Sequence, residues 1–279
     1  MKKIIPITKI KEFAINKSIK ISDRSIEETS KFSKFLTDIA NVFLFLLKVI
    51  KNTFSGGFEF KEFLKQCFQI GNKSFALISV TGTIIGLVLT IQSRPVLVKF
   101  GAVNMLPNMV AISLIREMGP VITALICAGK IGSSMGAELG SMRVTEQIDA
   151  LEVSSANPIK FLIVPRVLAA TLMIPLLSIF ADAFGILGSW VGANIKGDLN
   201  FVLFISQAFG KVDFIDLIPA VIKSFFFGAV IGLVGCYKGF NAGRGTESVG
   251  IAANTAVVTA SFFVILVDLI AVQITDLLL

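Results

Sequence analysis

The sequence predicts an all-α membrane protein of about five transmembrane helices preceded by an amphipathic interfacial helix, and three observations carry that prediction. Of the 279 residues, 54% are hydrophobic and only 16% are charged. With a mean hydropathy of +0.82, the chain has too little polar surface to cover a water-soluble body. Ser74 to Ser93 contains 20 residues without a charge, and at about 1.5 Å per residue this run covers the roughly 30 Å of a hydrocarbon core. Four more apolar runs follow it, separated by short polar segments.

Residues 1–73 form a basic N-terminal segment with 14 Lys/Arg against 7 Asp/Glu, whereas residues 74–279 carry 12 of each. A positive head before the first span favours a cytoplasmic N-terminus and suits contact with anionic headgroups. Residues 1 to 30 have no continuous apolar core and no cleavage pattern, so they do not read as a secretory signal. From Phe35, the residues Phe35, Ile39, Val42, Phe43, Leu46 and Ile50 recur at helical spacing against Asp38, Asn41, Lys48 and Lys51. That pattern fits a helix lying in the membrane interface. After Ser55-Gly56-Gly57, a second amphipathic piece carrying Phe60, Phe63, Leu64, Cys67 and Phe68 leads into the membrane.

Residues 74–279 read as the transmembrane body, with spans at about 74–93, 108–137, 161–194, 214–237 and 249–279. Arg94-Pro95 is expected to stop the first span. The second, at 30 residues, exceeds the bilayer and should tilt or project beyond it. Pro165 and Pro175 each remove a backbone donor, so a kinked or broken third span is expected. Phe201 to Phe209 is apolar but too short to cross. Five crossings place the loops at 138–160 and 238–248 inside and the C-terminus outside. Ser141 to Glu152, with Val144, Ile148 and Leu151 on one stripe, reads as a short amphipathic helix of the inside loop, suited to a groove on a partner protein.

Several function classes are disfavoured. There is no histidine, which removes the commonest general base and metal ligand. Cys67, Cys127 and Cys236 are odd in number and far apart, and they read as small buried hydrophobes, not as a metal or disulfide framework. No catalytic set and no metal site is expected. No G-x-x-x-x-G-K-[ST] occurs, so any ATP must be hydrolysed by another chain. The glycine-rich GFNAGRGTESVG, Gly239 to Gly250, follows a membrane helix and reads as a flexible inside loop. The basic head interleaves acids with its lysines and carries no nucleic-acid motif.

Two constellations stand out. Arg116 and Glu117 lie inside the second span, where ionisable groups cost several kcal/mol unless they face a cavity or a partner. Adjacent residues on a regular helix point about 100° apart, and Pro120 frees the carbonyl of Arg116 and distorts the helix there. Either the two pair with other helices, with Asp182, Lys223 or Asp268 as candidates, or they line a cavity for the headgroup of an amphiphile. The second constellation is a ladder of small residues, Ala128, Gly132, Gly136 and Gly140, repeated more briefly at Gly82/Gly86 and Gly228/Gly232. It allows close helix approach, either as packing within the chain or as a dimer seam.

Arg116-Glu117-Met118-Gly119-Pro120, Ala128-Gly129-Lys130-Ile131-Gly132-Ser133, Ala137-Glu138-Leu139-Gly140 and Met142-Arg143-Val144-Thr145-Glu146-Gln147-Ile148 together resemble the MlaE-type (YrbE-like) permeases of lipid-transporting ABC systems. Asn157-Pro158 and Pro165-Arg166 continue the resemblance, which runs from about Gly82 to the C-terminus. It implies a homodimeric permease bound to ABC ATPase subunits, which hold the ATP and Mg²⁺, and to an MCE-domain lipid-binding protein beyond the membrane. It also implies that Arg116 and Glu117 lie on the lipid pathway, and that residues 138 to 152, with Glu138, Arg143, Glu146 and Asp149, couple to the ATPase. The expected function is passage of phospholipid or a related lipid, in a bacterial inner membrane in preference to a plastid inner envelope. The rival class is a stand-alone secondary transporter or channel for an amphiphile, against which the lack of inverted repeats argues.

Overall fold

The computed structural model describes residue 37 and residues 40–54, 58–195 and 199–278. The expectations for residues 1–36, including Phe35, and for Asp38 and Ile39 lie outside the described residues. The chain divides into an N-terminal unit, Met1–Leu47, and a helical body, Lys48–Leu279. Helix α1 covers residues 40 to 53, and its buried positions Val42, Phe45 and Val49 recur three and four residues apart, the period of one helix face.

The body holds five helices long and apolar enough to cross a membrane: α2 (Phe60–Lys99), α3 (Val103–Val144), α5 (Ile159–Asn194), α7 (Phe214–Phe240) and α8 (Thr246–Leu278). Two short helices lie between them, α4 (Gln147–Val153) and α6 (Phe201–Phe209). Each crossing helix outruns the apolar stretch that marks it in the sequence, because polar and charged residues continue a helix into the interface without penalty. Thus α2 takes in the second amphipathic piece as one continuous 40-residue helix. It also runs through Arg94-Pro95, where a stop was expected. Pro95 forfeits a single backbone bond, and Arg94 is held by donating from Nη1 to Ala193 O at 2.8 Å. Nor is α5 broken: Pro165 sits in its first regular turn and Pro175 lies inside a continuous helix.

Small residues set the packing. Helices α2 and α5 run parallel in a constant register: Gly82 meets Ala181, Gly86 meets Gly185, and Thr90 Oγ1 donates to Ser189 Oγ at 2.7 Å. A Cβ on Gly82 would come within 2.6 Å of the Ala181 carbonyl oxygen. The two backbones touch there, which is how membrane helices gain dispersion contact where lipid offers no hydrophobic drive. The α3 ladder is occupied within the chain. Gly136 lies against Ala252, Ala253 and Ala256, and Gly140 against Val249 and Ala252, all on antiparallel α8. Gly132 lies against Gly235 on parallel α7.

Three turns widen from α to π geometry: Leu114–Met118, Ala128–Gly132 and Ile159–Ile163. The first and third precede Pro120 and Pro165 by two residues, so the missing proline amide and the widened ring fall together. At the end of α3 nearest Arg116, α6 closes the bundle. Its N-cap Asn200 accepts from Val202 N at 3.0 Å, and Phe204 and Ala208 are buried with Leu106, Val110 and Leu114.

The stretch after the second span differs from the single helix expected over 141–152. The helix α3 continues to Val144, the chain turns at Thr145-Glu146, and α4 begins afresh at Gln147. Glu146 adopts a left-handed φ of 58° and Ser155 one of 60°, so α4 is bracketed by two residues that no regular helix accommodates.

Candidate functional site

The charged residues of the second span are separated by the π-turn that contains them. Arg116 donates from Nε to Asp216 Oδ1 at 2.6 Å, and its Nη2 pairs with the same oxygen. Glu117 turns instead toward Lys223, whose Nζ lies 2.8 Å from Glu117 Oε2 and 3.1 Å from Asp268 Oδ1. Three helices therefore meet on one ammonium: Glu117 from α3, Lys223 from α7 and Asp268 from α8. Lys223 is 5% exposed, while the Glu117 and Arg116 side chains stay 45% and 47% exposed. The cations are anchored, yet Arg116 and Glu117 each keep an open flank.

Of the partners read from the sequence, Lys223 and Asp268 are brought to Glu117. Asp182 is not; its Oδ1 is buried against Gly119 without a hydrogen-bond partner among the described residues. Asp216 was missed. Its spacing from Asp213 is that of a helix-capping pair, and Asp216 Oδ2 does accept from Asp213 N at 3.0 Å. The capping role hides a second one, because the other oxygen of the same carboxylate receives Arg116. A buried carboxylate bonded on both oxygens is a rigid anchor.

The exposed flanks of Arg116 and Glu117 line a chamber of about 130 Å³ with Asp216, Lys223 and Asp276. It adjoins an apolar groove of about 500 Å³ formed by Ile218, Ile222, Phe226 and Ile274. Ile215, Pro219, Lys223, Ala271 and Thr275 line both. One continuous lining thus passes from charged side chains to aliphatic and aromatic ones. That arrangement can hold a polar group at one end and a hydrocarbon chain at the other.

The other site residues lie at the opposite end of the bundle. Arg143 pairs with Asp149 across the turn, tying the end of α3 to α4, while Ile148 is fully buried and Glu146 is exposed at the apex. Glu138 does not join them. It lies farther back along α3, 3.5 Å from Arg166 Nη2 at the start of α5, and accepts from Ser134 Oγ at 3.1 Å. Gly132, Gly136 and Gly140 meet α7 and α8 as described above.

Comparison with known proteins gives the same direction. A probable ABC transporter permease of Rickettsia prowazekii is 35% identical over 233 residues, 84% of this chain and 90% of that protein. A probable ABC transporter permease of Synechocystis is 32% identical over 240 residues, 86% and 90% of the two chains. The intermembrane phospholipid transport system permease protein MlaE of Haemophilus influenzae is 36% identical over 214 residues, 76% and 82%. The family described as Permease MlaE matches residues 63–274, a range that reaches into all five crossing helices and includes Arg116, Glu117, Asp216, Lys223 and Asp268. This multi-pass membrane chain belongs to the MlaE permease family.

Proposed function

We propose that the chain is the permease subunit of an ABC transporter that moves phospholipid or a related lipid between a bacterial inner membrane and an external MCE-type lipid carrier. It works as a homodimer, driven by a separate ATPase subunit that binds ATP and Mg²⁺. The observation that carries the reading is the two-part cavity on α7: charges at Arg116, Glu117 and Lys223 for a headgroup, continuous with an apolar groove for an acyl chain. The Haemophilus relative, named for phospholipid transport, supports the choice of substrate.

In this reading the ATPase acts on the turn at Glu146 and on α4. The Arg143–Asp149 pair and the buried Ile148 make that turn stiff enough to pass a displacement to α3. Two cavity states must differ in lipid affinity for nucleotide to shift their populations. The test is to purify the chain with its co-assembling ATPase and identify bound lipid by mass spectrometry. Phospholipid that is retained by the parent and reduced in amount on Lys223→Met supports the proposal. Flux of an amphiphile through liposomes containing this chain alone would instead favour a stand-alone transporter.

A further inference from the structure

A second polar pocket lies far from the charged cluster, between the start of α2 and the end of α3, at the end of the bundle that carries residues 138–160. It encloses about 60 Å³, room for about four water-sized atoms, and a phosphate group presents four oxygens. Donors dominate its lining. Lys73 and Lys130 bring two ammoniums, Gln66 and Gln69 two carboxamides, and Ser74 and Ser134 two hydroxyls.

Ser74 is a buried lining residue of the pocket, and its Oγ has no hydrogen-bond partner among the described residues. A hydroxyl left unsatisfied in a membrane interior costs free energy of the order of 1–3 kcal/mol, so the group is placed for an acceptor that the protein does not supply. The Lys73 ammonium likewise makes no ion pair among the described residues, while its carbonyl receives Lys130 Nζ. Lys130 sits on the second π-turn, Ala128–Gly132, and reaches α2 through that bond. The one carboxylate in the lining, Glu138, is offset by Arg166 at 3.5 Å. Glu62, which holds Gln66 Nε2 at 2.8 Å, is itself paired with Lys65. The balance around the cavity is positive.

We propose that this pocket binds a phosphate group, and that its source is the headgroup of a phospholipid in the leaflet at that end of the bundle. Lys73 and Lys130 hold the oxyanion by charge, and Ser74 donates its unused hydroxyl. Basic pockets between membrane helices recognise headgroups in this way. The site is separate from the cavity on α7 and does not depend on the transport reading.

The test is native mass spectrometry of the full chain in detergent, titrated with phosphatidylglycerol, with diacylglycerol and with inorganic phosphate. Phosphatidylglycerol should occupy two kinds of site, one weakened by Lys223→Met and the other unaffected by it. The Lys73→Gln/Lys130→Gln variant should weaken the second about tenfold or more, with diacylglycerol binding unchanged, and Lys73→Arg/Lys130→Arg should keep most of the affinity. Displacement of the lipid by millimolar inorganic phosphate would reassign the source to a free anion and overturn the headgroup assignment. Equal phosphatidylglycerol binding by a Lys73→Gln/Lys130→Gln variant that unfolds at the parental temperature would overturn the site itself.

Discussion

The carboxyl group of Asp182 on α5 occupies the space that a side chain on Gly119 of α3 would need. The glycine directly follows the π-turn that carries Arg116 and Glu117, so the contact lies immediately beside that turn.

Gly119→Ala should therefore push Asp182 out of its seat and lower stability by about 1–3 kcal/mol, the usual cost of overpacking. Thermal unfolding in detergent measures it. Adding Asp182→Ala to the same chain removes the clashing atoms and should recover most of the loss. If Gly119→Ala melted with the parent, the contact would not exist in the folded protein.

Lys223 bridges two carboxylates from different helices, and removing it leaves like charges facing each other. Lys223→Met should cost about 2–3 kcal/mol, less than the roughly 3–5 kcal/mol of a fully enclosed pair, because Glu117 is half-exposed. The triple change Lys223→Met/Glu117→Gln/Asp268→Asn should regain much of that stability while binding of phospholipid stays reduced. Unfolding curves and lipid retention separate the two effects.

The left-handed backbone at Glu146 makes two substitutions diverge. Glu146→Gly fits φ 58° without strain and should match or exceed parental stability by up to about 1 kcal/mol. Glu146→Val puts a β-branched residue there and should destabilise the turn. Glu146→Lys should leave the permease folded but abolish lipid-stimulated ATP hydrolysis in the assembled complex. Undiminished stimulation would remove Glu146 from the coupling surface.

Close packing predicts a contrast between two glycines. A Cβ on Gly86 would overlap the Gly185 carbonyl group, whereas one on Gly129 meets open space. Gly86→Ala should reduce the yield of folded protein, and Gly129→Ala should lie within about 0.5 kcal/mol of the parent. Expression and detergent melting curves decide.

Much of this was legible in the sequence because the bilayer admits few solutions. A run such as Ser74–Ser93 has to be a helix, and charges inside a span, such as Arg116 and Glu117, have to find partners. Lys223 and Asp268 could be named in advance because few other ionisable residues lie in the later spans. Asp216 could not, since Asp213-x-x-Asp216 already makes sense as a cap. Helix ends were equally hidden: hydropathy marks where hydrocarbon begins, not where hydrogen bonding stops, so Pro95 and the stretch from Phe60 to Lys73 gave no warning that α2 runs through both. The break at Glu146 was masked because glutamate carries no preference for a left-handed backbone.

Each π-turn stores one surplus residue in its helix. Deleting a single amino acid from Leu114–Met118 would let the ladder relax to ordinary α geometry and rotate everything on one side of it by about 100°. Arg116 and Glu117 would lose their bearings relative to Asp216 and Lys223 with every side chain chemically intact. The azimuth of the charged pair is thus written in residue count as well as in residue type. Relatives of this chain should therefore resist length change at this point more strongly than almost any point substitution.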